Sequence, residues 1–441
     1  MQEIFDKAAI ELLYSWFLEH GSVTTDTRNI KPGDIFFALK GPNFDGNTFA
    51  QKALEAGAYK VVADDPTLQG NPDILVCPDA LKMLQHLAGH HRSKLNIPVV
   101  AITGSNGKTT TKELVHAVLN TTFRTSTTTG NLNNHIGIPL TLLRIPANAE
   151  IAVIEMGANH QQEIAGYCTY TMPTHGLITN CGKAHLEGFG GVEGVKKGKG
   201  ELFDYLKVQN GKAFVCADFE YFIEMIQMRH LENIEWYGTN PGTAVQALPE
   251  TKGDFLLVKV LSGFEDSFEI ATHLVGTYNI YNVLAAMAIG RFFGVSYAHI
   301  KSAIENYRPD NSRSQLLMAG TNAIILDAYN ANPSSMAEAI RNFATLEASK
   351  KILMIGSMAE LGEASAAEHE GIINLIEAYS WEKVILVGKH FEPFRHKFVY
   401  FTNADEAANW WQQQTIKNAH ILLKGSRSTA MEKILKANTA Q

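Results

Sequence analysis

No stretch of this chain approaches the roughly 18 consecutive apolar residues that a membrane-spanning helix needs. The opening Met1-Gln2-Glu3-Ile4-Phe5-Asp6 lacks the basic and apolar regions of a secretory leader. Positive charge is in short supply: 38 Lys and Arg face 45 Asp and Glu, for a formal net charge of −7. A nucleic-acid binder usually carries a basic face, so none is expected as a partner, and an anionic ligand must find its cations locally. The four cysteines, Cys77, Cys168, Cys181 and Cys216, form no CxxC pair. That disfavours a zinc site or a disulfide framework and suits reduced thiols in a cytosolic protein. No GxGxxG fingerprint is present, which disfavours NAD and FAD, and no internal repeat or low-complexity tract is visible. What remains is a 441-residue chain, 45% hydrophobic, with material for two or three domains. A cytoplasmic monomer without membrane insertion is expected.

One stretch stands out against these absences. Thr103-Gly104-Ser105-Asn106-Gly107-Lys108-Thr109-Thr110 follows an apolar run, Pro98–Ile102, and precedes a helical pattern with Leu114, Val115, Val118 and Leu119 on one side. Strand, glycine turn, Lys-Thr and helix is the layout of a phosphate cradle. Glycines let backbone N–H groups approach phosphate oxygens, and the helix start adds partial positive charge. Lys108 can reach the outer phosphates and the Thr109 hydroxyl can bind Mg²⁺. Two residues, not four, separate Gly104 from Gly107, so the common P-loop expression is not matched.

Residues 1–90 read as a small α/β domain, with a strand Ile35–Leu39, a helix near Phe49–Ala56 and a strand Lys60–Ala63. Asp26, Thr27 and Arg28, with Asn43, Phe44, Asp45 and Gly46, offer donors and a fixed cation. They suit either turn chemistry or a pocket for a polar, anionic ligand. Residues 91–307 form a second domain, entered through a helix Leu81–Asn96 and containing the cradle. Its amide-rich loop Asn131–Pro139, with Asn133 and Asn134, suits sugar or peptide recognition better than packing. The strand Ile151–Ile154 ends at Glu155, where a carboxylate commonly faces the ligand crevice. It would be a Mg²⁺ ligand or half of a structural ion pair. The loop Ala184–Gly190, after a strand Gly176–Thr179, carries a lone His185. On the helix Val192–Leu206, Lys199 falls within the apolar stripe of Val195, Leu202, Phe203 and Leu206, while Lys197 points away. Such a lysine must snorkel, pair or be chemically altered, and desolvation makes its neutral amine more available. Near the start of a helix Tyr278–Phe293, Asn279 and Asn282 could bond an adenine edge or cap and pack the helix.

Residues 308–441 open on a polar hinge, Arg308–Arg313, and then alternate regularly. Strands at 323–326, 352–355, 384–387, 398–401 and 421–423 interleave with helices at about 334–348, 364–380, 404–415 and 427–437, which implies a doubly wound parallel sheet. Polar groups follow the strands, among them Asp327, Tyr329, Asn330, Asn332 and Lys424–Arg427. Strand C-termini are where such folds bind ligands.

With these motifs assembled, the chain resembles the Mur ligase family over essentially its full length. Thr103–Thr110 matches that family's compact phosphate loop, and Asn43–Gly46, Asn131–Leu143, Glu155–Asn159, Ala184–Gly190, Asp327–Met336 and Lys424–Arg427 support the match. Asn47 departs from it, because related enzymes often carry histidine there. The resemblance implies three α/β domains: one for the UDP end of a substrate, a central ATPase with a mostly parallel sheet, and a C-terminal Rossmann-like domain. It implies ATP and two Mg²⁺ ions, with Thr109, Glu155, His185 and a carbamylated Lys199 as metal ligands. Nitrogen ligation is unusual for a hard cation, so oxygen ligands would have to support His185. Asn279, Asn282, Arg313 and Asp327 become expected ATP contacts, and Lys108 and Arg313 neutralise charge during phosphoryl transfer. Asp26–Arg28 and Asn43–Gly46 would hold UDP-N-acetylmuramoyl-tripeptide. Tyr329, Asn330 and Asn332 would place D-alanyl-D-alanine. The implied activity is an ATP-dependent ligase working through an acyl phosphate in peptidoglycan precursor synthesis. The alternatives are another ligase of this architecture, such as a folylpolyglutamate synthase, a small-molecule kinase, and a nucleotide-switched binding module.

Overall fold

The structure is a computed structural model that describes residues 7–310 and 312–436. The Met1–Asp6 stretch, Asn311 of the expected hinge and residue 437 of the expected last helix lie outside the described residues. The chain divides into two compact units: Met1–Ala101, Phe123–Ala158 and Gln162–Gly176 form the first, and Ile102–Thr122, Asn159–Gln161 and Leu177–Gln441 the second. Among the described residues no helix is long and apolar enough to cross a membrane. All four cysteines are buried and none is in a disulfide.

In the first unit, Val23–Thr24, Ile35–Phe37, Lys60–Ala63 and Ile74–Val76 form a four-stranded parallel sheet in that order. Its core gathers Phe36, Ala50, Ala53, Val61 and Ala63. The expected strand to Leu39 stops at Phe37, because the chain turns into a two-residue hairpin that pairs Lys40–Gly41 with Phe44–Asp45. Asp79 caps the helix Ala80–Lys94 by accepting from Lys82 N–H. That helix runs through residue 90, where the first domain was expected to end. The amide-rich segment is only partly a loop. A helix, Gly137–Leu143, begins inside it, and Asn134 Oδ1 accepts the N–H groups of Ile136 and Gly137 at its start. The strand Ile151–Glu155 is buried throughout and pairs in parallel with Thr125–Thr127.

The second unit carries two further sheets. One is an antiparallel meander of Val245–Lys252, Phe255–Ser262 and Phe268–Val275, continued in parallel by Ile234–Gly238 and Lys212–Cys216. The first and fourth of those strands escape the sequence reading, because half-exposed polar positions interrupt both. The other sheet orders Gln315–Ala319, Asn322–Asp327, His420–Lys424, Lys351–Gly356, Lys383–Val387 and Val399–Phe401. All its pairings are parallel except that of the edge strand Gln315–Ala319. This is the expected doubly wound domain, with helices Pro333–Thr345, Ser365–Glu377 and Ala404–Gln412 between its strands. Its core packs Ile324, Ile352, Ile385, Ile421 and Trp411. The expected helix 427–437 is broken into Arg427–Thr429 and Lys433–Lys436, because Ala430 sits at φ 51° in the left-handed region.

Candidate active site

The strand Val99–Thr103 delivers the cradle, and the helix Lys108–Leu119 leaves it. Gly107 is left-handed at φ 78°, and a Cβ there would lie 2.5 Å from Asn282 Oδ1. The loop is strapped from behind by the segment after the strand His175–Ile178. Ser105 N–H donates to Asn180 O at 2.9 Å, Asn106 N–H to Asn180 Oδ1 at 3.0 Å, and Thr179 Oγ donates to Asn106 O at 2.6 Å. Lys108 Nζ lies folded over the turn, donating to Gly104 O at 2.7 Å and Ser105 O at 3.2 Å. A glycine turn at a helix start with an ammonium held above it fits the phosphates of a nucleotide. Thr109 is buried at the first turn and Thr110 is half-buried.

Asn279 and Asn282 lie beneath this loop and are buried. Asn279 Nδ2 donates to Val275 O at 2.8 Å and Asn282 Nδ2 to Asn279 Oδ1 at 2.7 Å, while Asn282 Oδ1 accepts from Thr111 Oγ at 3.0 Å. These bonds tie both amides into the helix start and the cradle. Thr111, Thr179 and Asn180 support the cradle and were missed, since nothing in their spacing marks them.

The doubly wound domain meets the same loop. Asn332 caps the helix Pro333–Thr345 through its Oδ1, which accepts Ser335 N–H at 2.9 Å. Its Nδ2 is thereby left to donate to Asn106 Oδ1 at 2.7 Å. Lys183 N–H donates to Ser334 Oγ at 2.9 Å, and Lys183 Nζ pairs with Glu368 at 2.6 Å. Asp327 accepts from Ser314 N–H at 3.3 Å and pairs with Lys424 Nζ at 2.5 Å; Lys424 is almost wholly buried. Asn330 Oδ1 accepts the following N–H group of Ala331. The Arg313 guanidinium lies 3.7 Å from the centre of the Tyr329 ring, stacked on its face, and that of Arg427 lies 5.8 Å from it. Ser312 and Ser314, on either side of Arg313, both have positive φ, at 58° and 49°. Strained non-glycine backbone of this kind collects at functional sites.

Lys199 is 1% exposed, inside the apolar stripe that the sequence predicts, and its Nζ lies 4.8 Å from the centre of the Phe189 ring. Lys197 is exposed. His185 starts the short helix Leu186–Phe189 in a left-handed conformation, φ 50°. Its Nδ1 lies 2.6 Å from Glu360 Oε2. The imidazole beside it holds the Glu360 carboxyl below the ordinary carboxylate range, against the opposing effect of burial. Glu360 is a residue the sequence reading did not select.

In the first unit, Glu155 Oε1 accepts from Asn133 Nδ2 at 2.7 Å. Asp26 grips Arg28 through Nε and Nη2, both at 2.8 Å, and caps the turn by accepting Arg28 N–H. Those bonds to Arg28 hold its carboxyl well below the usual range. Thr27 is half-buried in that turn. Asn43 and Phe44 are exposed on the Lys40–Asp45 hairpin, and Gly46 is buried beside it. Asn47, the departure from the family pattern, ties two carboxylates together. Its Nδ2 donates to Asp45 Oδ1 and Asp64 Oδ1, both at 2.8 Å, and its Oδ1 accepts Asp64 N–H. No group of three or more His, Cys, Asp and Glu stands ready to hold a metal among the described residues.

A compact glycine cradle at a strand-to-helix turn, touched by loops from the C-terminal ends of a doubly wound sheet, defines the class: a phosphate-loop α/β protein with a docked Rossmann-like domain. The Mur ligase family is the particular one to which this chain belongs. Family models match residues 20–101 (Mur ligase family, catalytic domain), 102–290 (Mur ligase middle domain) and 312–427 (Mur ligase, glutamate ligase domain). The UDP-N-acetylmuramoyl-tripeptide–D-alanyl-D-alanine ligase of Escherichia coli is 36% identical over 94% of this chain and 93% of its own length. The protein of the same name from Bacillus subtilis is 33% identical over 96% and 94%. The crystal structure of MurF ligase from Thermotoga maritima in complex with ADP is 25% identical, covering 95% of this chain and 96% of its own, with a TM-score of 0.85.

Proposed function

We propose that this chain is an ATP-dependent amide ligase that joins D-alanyl-D-alanine to UDP-N-acetylmuramoyl-tripeptide during peptidoglycan precursor synthesis. The relatives' shared name supports this reading, as does the ADP named with the Thermotoga maritima structure. The observation that carries it is Asn332 of the C-terminal domain bonded to Asn106 of the phosphate loop. That bond ties a loop after a Rossmann-like strand to the place where the γ-phosphate would be activated.

In this reading residues 1–90 bind the UDP end, 91–307 bind ATP, and 308–441 bring the amine. Asp26, Thr27, Arg28 and Asn43–Gly46 hold the UDP-sugar, and Asn133 and Asn134 extend that recognition. Gly104–Thr110 cradle the phosphates. Asn279, Asn282, Arg313 and Asp327 contact the nucleotide. Thr109, Glu155, His185 and a carbamylated Lys199 are the assigned Mg²⁺ donors. Mg²⁺ supplies charge neutralisation on the phosphates.

The tripeptide's terminal carboxylate oxygen attacks the γ-phosphorus, and the bond to the ADP oxygen breaks. Lys108 and Arg313 offset the charge that develops. The free amine of D-alanyl-D-alanine then attacks the acyl carbon and gives up its proton as phosphate departs. Tyr329, Asn330 and Asn332 orient that amine, and docking of their domain keeps water from the acyl phosphate. Buried Lys199 would lose one proton, its neutral amine would add CO₂, and loss of a second proton would leave an anionic carbamate in place of the cation.

The test is phosphate release by the purified protein. It should require tripeptide and dipeptide together; equal release with either alone removes the ligase reading, and ADP without phosphate would make the protein a kinase. Lys199→Ala should lose activity and regain part of it with a short carboxylic acid. A folded variant that no acid rescues would remove the carbamate.

A further inference from the structure

Arg313 sits on a backbone that must be held in place. Ser312 and Ser314 flank it at φ 58° and 49°, left-handed without being glycine, and such conformations persist only where the surroundings enforce them. On one side, Ser312 O accepts Tyr329 N–H at 3.2 Å. On the other, Ser314 precedes the edge strand Gln315–Ala319, whose register sets Gln315 opposite Leu326 and so brings Ser314 to Asp327. Ser314 N–H donates to Asp327 Oδ1 at 3.3 Å, which is long for such a bond. Its Oγ has a second and shorter hold, a hydrogen bond of 3.0 Å with Tyr278 Oη. Tyr278 is no part of the doubly wound domain. It lies in the turn Thr277–Asn279 that leads into the helix Ile280–Phe292 of the middle domain. Gly276 makes room for its ring, because an added Cβ there would run into it. Burial pushes the Tyr278 phenol above its ordinary value of 10.0, and the Asp327 charge acts in the same direction, so the hydroxyl keeps its proton. The residue before it meets the C-terminal domain as well: Thr277 N–H donates to Asn342 Oδ1 at 3.1 Å.

We propose that Tyr278 is a positioning residue for Arg313: its hydroxyl fixes Ser314 across the domain boundary, and through that backbone keeps the Arg313 guanidinium stacked on Tyr329 and in place for the transferred phosphoryl group. Arg313 Nε is buried without a hydrogen-bond partner. The aim of the guanidinium therefore comes from the ring 3.7 Å away and from the backbone that carries it. A planar guanidinium with unspent donors takes phosphate or carboxylate oxygens. A misplacement of about 1 Å can cost such a group about 100-fold in rate. One hydrogen bond between side chains of two domains guards against it here. The inference rests on the assignment of Arg313 to phosphoryl transfer made under the proposed function.

Tyr278→Phe, Ser314→Ala and Arg313→Ala, singly and combined in the full-length protein, are compared with wild type for phosphate release in the presence of tripeptide and dipeptide. Tyr278→Phe removes only the hydroxyl and should lower kcat by about 10- to 100-fold, with the tripeptide KM unmoved. Ser314→Ala breaks the same bond from the other side and should reproduce that loss, and the two together should do no more than either alone. In an Arg313→Ala background, Tyr278→Phe should cost nothing further. A second readout needs no turnover. The Nε–H resonance of a guanidinium over a tyrosine face is shifted by the ring. In ¹⁵N-arginine-labelled protein, with Arg313→Lys supplying the assignment, that signal should move in Tyr278→Phe. An unmoved Arg313 signal, a kcat that Tyr278→Phe leaves at the wild-type value while Arg313→Ala lowers it, or a loss that persists undiminished in Arg313→Ala would each overturn the proposal. Should Tyr278→Phe fail to fold, Ser314→Ala carries the same readouts with the same outcomes. A signal that moves in Tyr278→Phe while Arg313→Ala keeps full turnover would uphold the positioning and remove Arg313 from phosphoryl transfer.

Discussion

Replacing Gly107 by alanine puts a methyl group into the tightest point of the cradle. Gly107 sits at φ 78°, and the new Cβ would lie 2.5 Å from Asn282 Oδ1. Two costs follow. The left-handed conformation itself costs a residue with a Cβ about 1 kcal/mol or somewhat more. The clash must also push Asn282 away, which breaks its bonds to Thr111 Oγ and Asn279 Oδ1. At about 1 kcal/mol for each buried hydrogen bond, the total reaches about 3 kcal/mol. Gly294 provides the control within the same unit: its φ is 80°, and an added Cβ meets nothing within 4 Å. Gly294→Ala should therefore cost only the conformational part, about 1 kcal/mol. Urea denaturation of the two variants, followed by the same probe, measures the difference, expected at about 2 kcal/mol. ADP affinity should fall in Gly107→Ala and hold in Gly294→Ala. Equal destabilisation of the two variants would refute the reasoning, because it would mean that Asn282 can step aside freely and does not brace the loop.

Two further expectations come from side chains whose hydrogen bonds divide cleanly. Asn332→Asp keeps an oxygen to cap the helix Pro333–Thr345 but removes the donor that Asn106 Oδ1 accepts; stability should fall by about 1 kcal/mol, the worth of that one bond, with turnover falling as well, and an unchanged turnover would contradict it. Burial holds the His369 imidazole below its ordinary value of 6.5, with His390 acting in the same direction and the Ser365 carbonyl opposing. Below about pH 6.5 the unfolded chain therefore takes up a proton that the folded chain refuses, so stability should fall as pH drops through that window and stay level above it. His369→Gln should flatten part of that slope in a urea series between pH 5 and 8, and an unchanged slope would show that His369 does not contribute.

The elements that position chemistry were legible wherever one physical constraint acted alone. The phosphate loop needs glycine, lysine and a helix start in fixed order, and the strand and helix around it follow from their apolar periodicity. Lys199 was legible for the same reason: a cation in an apolar stripe is a local contradiction, and the structure buries it there. The Asp327–Lys424 pair was half legible. Both follow parallel strands, but only the three-dimensional order, which sets Asn322–Asp327 beside His420–Lys424, makes them partners. The strands Ile234–Gly238 and Val245–Lys252 were hidden by polar positions that face outward.

Glu360 marks the limit of that legibility more sharply. Nothing around it is periodic, and a glutamate in a turn is ordinary. Its left-handed φ is set by the fold around it, and the bond of nearby Met358 to His369 and the approach of Glu360 to His185 are long-range facts. Asn332 is the instructive intermediate. A sequence can announce a helix cap, and a cap uses only the side-chain oxygen. Choosing asparagine over aspartate or serine leaves an amide donor unspent, and in this fold that donor finds the phosphate loop. A residue whose local task consumes half of its hydrogen-bonding capacity is thus a place to look for a second task.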